Sequence, residues 1–129
     1  VDLHDWDGEN PHHQQFADVA DVVQVSLAAG IGDAAIKVLR ERCKLVVLTD
    51  AAKGAWLLEG KTEHHQPALA AQVVDTNGAG DSFFMALWAA RRAGLALAEA
   101  GQFAAKAAAC TVSSQTICGE LGDLRPTSF

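Results

Sequence analysis

Short apolar runs alternate with polar, turn-rich stretches along this chain, and their periods predict strands and helices in alternation. Asp21-Val22-Val23-Gln24-Val25 and Leu45-Val46-Val47-Leu48-Thr49 are nearly continuous in apolar character, the pattern of strands covered on both faces. Between them Ile31, Ala34, Ala35, Val38 and Leu39 recur close to the helical period, and basic residues gather towards Arg42, where the helix dipole favours them. Together these segments predict a βαβ unit, right-handed by the usual rule. Upstream, Val1 to Trp6 reads as the end of a strand breaking into the turn Asp7-Gly8-Glu9-Asn10-Pro11, and a short helix is expected from His13 to Val19.

Further along, Trp56-Leu57-Leu58 and Lys61 to Gln66 predict a hairpin around Glu59-Gly60, with Pro67 to Ala71 as a connector. From Ser82 to Arg92 apolar positions run nearly all round, widest over Phe83, Phe84, Leu87 and Trp88, which predicts a buried helix capped at Gly94. An alanine-dense helix follows from about Ala96 to Ser113, expected to pack through Phe103, Ala104, Ala107, Ala108, Thr111 and Val112. The tail from Ser114 to Phe129, with Gly119, Gly122 and Pro126, reads as loop.

Composition narrows the functional classes. With 129 residues, 50% hydrophobic and 20% charged, the chain has apolar mass for one globular core. A net charge of −6 opposes a nucleic-acid role, so any phosphate has to be held locally. Cys43, Cys110 and Cys118 are far apart and lack C-x-x-C spacing, which argues against a disulfide framework or a zinc site and fits a cytoplasmic location. No apolar stretch of membrane length and no basic-then-apolar leader is present. His12-His13 and His64-His65 are neighbours whose side chains point apart, and with His4 they read as solvated loop residues. Beginning at Val1 rather than Met, the chain is expected to be a fragment, a processed product or an incomplete piece.

The chemistry concentrates in Val73-Val74-Asp75-Thr76-Asn77-Gly78-Ala79-Gly80-Asp81-Ser82-Phe83-Phe84. A Gly-Ala-Gly turn running straight into a helix delivers backbone N–H groups at a helix N-terminus, which is an anion site. Asp81 would sit on the first turn beside a bound phosphate, the arrangement of a base in phosphoryl transfer. A plain tight turn with an acidic helix start is the competing reading of Gly-x-Gly-Asp alone. A dinucleotide fingerprint fails because Phe83 stands where a third glycine belongs, and no G-x-x-x-x-G-K-[ST] occurs.

The longer string Asp75-Thr76-Asn77-Gly78-Ala79-Gly80-Asp81 resembles the D-T-x-G-A-G-D signature of the ribokinase-like (PfkB) carbohydrate kinases. That resemblance implies an α/β fold, a three-layer αβα Rossmann-like sheet. Residues 1–129 would form its C-terminal, nucleotide-binding and catalytic part, without the N-terminal sugar-binding half and lid. It implies ATP-dependent transfer to a hydroxyl of a sugar or sugar-like substrate, with Asp81 as base and the Gly78, Ala79 and Gly80 amides as anion hole. Asp75 and Asn77 would lie near a monovalent-cation site such as one for K⁺, and Mg²⁺ would accompany ATP.

Departures from the family pattern are visible. Thr49 to Trp56 looks like the T-x-G-x-x-G nucleotide loop and keeps Thr49 and Gly54, but Ala51 replaces its first glycine. If that position needs a positive φ, the methyl costs of order 1 kcal/mol. Ser26 and Ala29 stand where the family carries the N-x-x-E element that helps organise Mg²⁺ and phosphate, and Ala29 has no oxygen to offer a hard cation. His4 replaces the Asn of a D-x-N-x-R-like segment, and Ala105 occupies a position near which relatives contact adenine. Met85 and Trp88 are larger than the family's residues after the Phe pair, which implies local repacking. An isolated C-terminal half would expose a sheet edge and apolar surface, so a homo-oligomer or a complementing N-terminal part is the expected partner, besides nucleotide and sugar. The alternative is a truncated or degenerate, non-catalytic relative that binds nucleotide or self-associates.

Overall fold

The computed structural model describes residues 1–114, which fall into two compact units, Val1–His65 and the residues from Gln66 onward. The loop expected over 115–129, including Cys118, lies outside the described residues.

In the first unit β1 (Val22–Ser26) and β2 (Leu45–Thr49) pair in parallel, from Val22↔Leu45 to Ser26↔Thr49, and α2 (Asp33–Arg42) crosses between them. This is the βαβ unit of the sequence pattern. Every residue of Leu45–Leu48 is buried, as is Val23 to Val25, so their lack of polar alternation reflects cover on both faces. β3 (Ala55–Glu59) runs antiparallel to β2, from Val46↔Leu58 to Thr49↔Ala55, and β4 (Thr62–Gln66) completes the order β1-β2-β3-β4. Gly60, at φ +57°, makes the tight turn between the last two. Along the outer edge of β1, Leu3 N–H donates to Gln24 O (2.8 Å), Gln24 N–H to Val1 O (2.9 Å) and Ser26 N–H to His4 O (2.8 Å), so the expected strand end is a short parallel bridge.

Trp6, Leu3, Ala17, Val23, Val25, Leu39, Val46, Leu48 and Leu58 form one apolar cluster. Burial of each large side chain contributes about 1.5–3 kcal/mol. Gly8, at φ +96°, lies so close to α2 that a Cβ would meet Ala35 Cβ at 2.6 Å.

α1 (Pro11–Ala17) starts two residues earlier than the apolar pattern predicts. Asn10 caps it by accepting from His12 N–H (2.9 Å), and Pro11 fits the first helical position because its missing donor would be unpaired there. Ahead of it, Asp7 Oδ1 accepts from Glu9 N–H (2.8 Å) and Asn10 N–H (3.2 Å), and these bonds hold the Asp7 carboxyl below the usual carboxylate range. Ile31, counted with α2 by periodicity, is buried but precedes the helix, which begins after Gly32.

The second unit is a helix pair, α3 (Ala79–Arg92) packed on α4 (Leu97–Val112). Gly94, at φ +89°, ends α3 with Gly94 N–H donating to Arg91 O (3.1 Å) and Leu95 N–H to Ala90 O (3.1 Å), a Schellman closure that satisfies carbonyls the helix leaves open. The expectation of an all-round buried α3 needs correction. Phe83, Leu87 and Ala90 are buried, whereas Met85 and Trp88 are 58% and 44% exposed. Arg92, one turn beyond Trp88, lies over its ring at 5.5 Å, which covers part of the indole without burying it. α4 buries Leu97, Ala100, Gly101, Ala104, Ala105, Ala107 and Thr111, so its packing face is made of small residues. Among the described residues no helix is long and apolar enough to cross a membrane, Cys43 is a buried free thiol and Cys110 an exposed one.

Candidate functional site

The loop before α3 is shaped by one glycine. Gly78 takes φ +75° and ψ 2°, a left-handed conformation, and serves as N-cap without any side-chain cap bond. Ser82 N–H to Gly78 O (2.9 Å) is the first bond of the helical ladder, as expected for the fourth residue from the cap. Ala79 N–H instead donates to Thr76 O at 3.3 Å, a long turn bond. This amide, one of the three expected at an anion hole, has a protein acceptor that an anion would have to displace. Asp81 is the third residue of α3, exposed, and its carboxylate makes no hydrogen bond or ion pair with a described residue. The positive end of a 14-residue helix favours its charge.

Both ends of this loop are tied to α4. Val112 O accepts from Val74 N–H (2.7 Å) and Asp75 N–H (3.3 Å). Thr111 Oγ1 lies 2.8 Å from Ser82 Oγ and 3.1 Å from Ala107 O. Asp75 Oδ1 accepts from Asn77 N–H (2.9 Å), which orders the two residues assigned to a cation site into one turn. Ala105 is 4% exposed, buried rather than presented to solvent.

In the first unit the nucleotide-loop segment forms a separate turn. Thr49 ends β2, with its hydroxyl 3.5 Å from Val25 O, and Ala51–Lys53 make a 3₁₀ turn. Asp50 N–H donates to Gly54 O (2.7 Å), Lys53 N–H to Asp50 O (2.9 Å) and Gly54 N–H to Ala51 O (3.0 Å). Gly54 sits at φ +101°, ψ −136°, a region open to glycine alone. Ala51 has φ +44°. The position does demand the backbone geometry for which the sequence pattern expects glycine. Beyond the turn, His65 Nε2 lies 3.1 Å from Lys53 O, and its ring meets Trp56 at 4.6 Å between centroids, tilted by 38°.

Leu27–Ala29 is a 3₁₀ turn closed by left-handed Gly30, and Ser26 Oγ accepts from Ala28 N–H (3.3 Å). No set of three His, Cys, Asp or Glu among the described residues is grouped to hold a metal ion. An open groove lined by Asp33, Ile36, Lys37, Arg40, Glu41 and Gly60 brings none of the expected site residues together. The sequence reading overlooked the ties of Thr111 and Val112 to the loop. The available signal was a threonine at a packing position of an alanine-rich helix, where a hydroxyl needs a partner.

Comparison with known proteins adds a family to this geometry. Residues 18–119 match the description "pfkB family carbohydrate kinase". An acarbose 7(IV)-phosphotransferase from Actinoplanes sp. is 42% identical over 90 residues, which cover 64% of this chain and 30% of that protein. The structure of a microbiome-derived acarbose kinase superposes with a TM-score of 0.77 at 31% identity, covering 88% of this chain and 41% of that one. Arabidopsis thaliana ribokinase, solved with ribose and ATP, gives a TM-score of 0.74 at 24% identity over 88% of this chain and 42% of its own. The ribokinase-like α/β fold is thereby shown, and the chain spans well under half the length of each of these relatives.

Proposed function

We propose, on the premise that this chain belongs to the pfkB family of carbohydrate kinases, that it is the nucleotide-binding and catalytic portion of an ATP-dependent sugar kinase, its phosphate acceptor a hydroxyl of a sugar or sugar-like molecule. The observation that carries this reading is Asp81 on the first turn of α3, exposed and with no ion pair to a described residue, three residues after the left-handed Gly78.

In this mechanism Asp81 takes the proton of the substrate hydroxyl as the hydroxyl oxygen attacks the γ-phosphorus of ATP, the bond from that phosphorus to the β–γ bridging oxygen breaks, and ADP leaves. A loose phosphoryl transition state asks for positioning and charge stabilisation more than for a strong base. The amides of Gly78, Ala79 and Gly80 supply the stabilisation, with Ala79 N–H leaving its long bond to Thr76 O to do so. One such donor is worth about 2.7–4 kcal/mol in an acyl-transfer oxyanion hole. Thr49, Ala51 and Gly54 border the nucleotide, and buried Ala105 adds no polar contact to a base. Asp75 and Asn77 are the residues assigned to a monovalent cation. The Ser26–Ala29 segment lacks the carboxylate of a Mg²⁺ ligand set, because the Ala29 side chain has no oxygen, and Ser26 Oγ is used locally in accepting from Ala28 N–H. A Mg²⁺ ion entering with ATP would be held by phosphate oxygens and water.

A second reading has its own support in Ala51 at φ +44° and in Ala29, whose side chain has no oxygen. On that reading the chain is a degenerate relative that retains nucleotide binding or self-association without turnover. Calorimetric titration with Mg-ATP, followed by ADP release against a panel of sugars that includes acarbose, separates the two. Binding with turnover supports the kinase, binding without turnover the degenerate relative, and absence of binding refutes both nucleotide roles.

A further inference from the structure

The first turn of α3 and the strand-like segment leading to it are gripped by consecutive residues of α4, and this is more than packing. A hydroxyl carries one proton and a carbonyl can only accept. Thr111 Oγ1 satisfies both of its contacts at once when its own proton goes to Ala107 O (3.1 Å) and Ser82 Oγ–H donates to it across 2.8 Å. Thr111 is 3% exposed, so its hydroxyl depends on these protein partners more than on water. One residue on, Val112 O accepts the Val74 and Asp75 amides. The segment Asp75–Ser82, which contains Gly78, Gly80 and Asp81, is thus fastened at its entry by Val112 and at its exit by Thr111.

We propose that Thr111 is a positioning residue for the anion loop, acting through Ser82 to hold the α3 N-terminus in the geometry that receives a phosphate. The inference rests on the phosphate-binding reading above. Its physical content is preorganisation: a first turn held in place laterally has less to reorganise when the anion arrives, the release of Ala79 N–H from Thr76 O included. Without the hydroxyl link the helices remain packed through Phe83, Leu87, Ala90 and Ala104, but the first turn loses its lateral tie.

Thr111→Val removes the hydroxyl at nearly constant volume, Thr111→Ser keeps it, and Ser82→Ala removes the other partner. Mg-ATP titration of the full chain is expected to show about three- to tenfold weaker binding for Thr111→Val and Ser82→Ala, the size of one hydrogen bond. Thr111→Ser restores it, and the double variant is no weaker than either single, since both delete one interaction. Amide hydrogen exchange gives a readout that needs no ligand. Thr111→Val speeds exchange at residues 78–82 by about tenfold beyond any change in the middle of α3 and α4. Exchange that rises equally along both helices, or a Thr111→Ser variant as impaired as Thr111→Val, overturns the proposal and leaves Thr111 a packing residue. If the unmodified chain fails to bind Mg-ATP, the phosphate-binding reading falls, and with it the role of Thr111 towards a phosphate, whatever the exchange shows about the loop.

Discussion

Ala51→Gly isolates a strain that the structure locates in the nucleotide-loop turn. Ala51 sits at φ +44°, where an L residue brings its Cβ against its own carbonyl at a cost of about 1–2 kcal/mol. Glycine escapes that cost but gives the unfolded chain more freedom, which removes about 0.4–1 kcal/mol of stability. Ala51 is exposed, so its methyl leaves no core cavity when deleted. The difference favours the glycine variant by about 0–1.6 kcal/mol, with a midpoint near 0.8 kcal/mol. For 129 residues that midpoint is a rise in Tm of about 3 °C. Urea denaturation followed by tryptophan fluorescence measures it, with Ala52→Gly as control. Ala52 lies in the same exposed turn without a positive φ, and glycine there should destabilise by about 0.5–1 kcal/mol. If Ala51→Gly destabilises as much as the control, the left-handed assignment of this position and the strain inferred from it are wrong.

Three further outcomes are expected. Asp81→Asn should lower any sugar-dependent ADP release by about 10²–10⁴-fold, with the urea midpoint little changed; equal rates for the two proteins exclude Asp81 from the proton transfer. Gly8→Ala combines a left-handed φ with a Cβ contact at 2.6 Å and should cost more than about 1 kcal/mol in thermal unfolding, whereas an unaltered Tm would show that α2 yields freely at Ala35. Burial pushes the Cys43 thiol up, so at mildly alkaline pH maleimide should modify exposed Cys110 well before Cys43, and mass spectrometry that finds equal rates refutes the protected thiol. The sign for stability follows: with its folded value raised, Cys43 contributes fully below the unfolded thiol's value and loses that contribution as pH rises through the folded one.

Much of the architecture is legible in the one-dimensional pattern because burial writes itself into residue type. Leu45–Leu48 has no polar position and is covered on both faces; Gly60 and Gly94 mark turns whose φ is positive. The reading fails where a local bond or a single neighbour decides. Pro11 reads as the end of the turn-rich Asp7–Pro11 stretch, yet after a capping Asn10 it begins a helix. Trp88 counts as core by hydropathy, but its outward direction on α3 and the guanidinium above it keep it at the surface. The candidate loop announces itself through Gly78-Ala79-Gly80-Asp81, where glycine permits what the turn needs. Its fastening by Thr111 and Val112 is invisible in sequence, since it joins residues about thirty to forty positions apart through one carbonyl and two hydroxyls.

The seam of α4, built from Ala100, Gly101, Ala104 and Ala107, also limits how this protein can drift. A methyl-lined contact has room for exchange with glycine or serine and almost none for growth, because added methylenes at a close-packed seam cost about 1–3 kcal/mol. Mutations that look conservative by hydropathy, such as alanine to leucine, are therefore the ones selection should remove first. Neutral variation belongs on the opposite, solvent-facing side, at Gln102, Lys106 and Cys110.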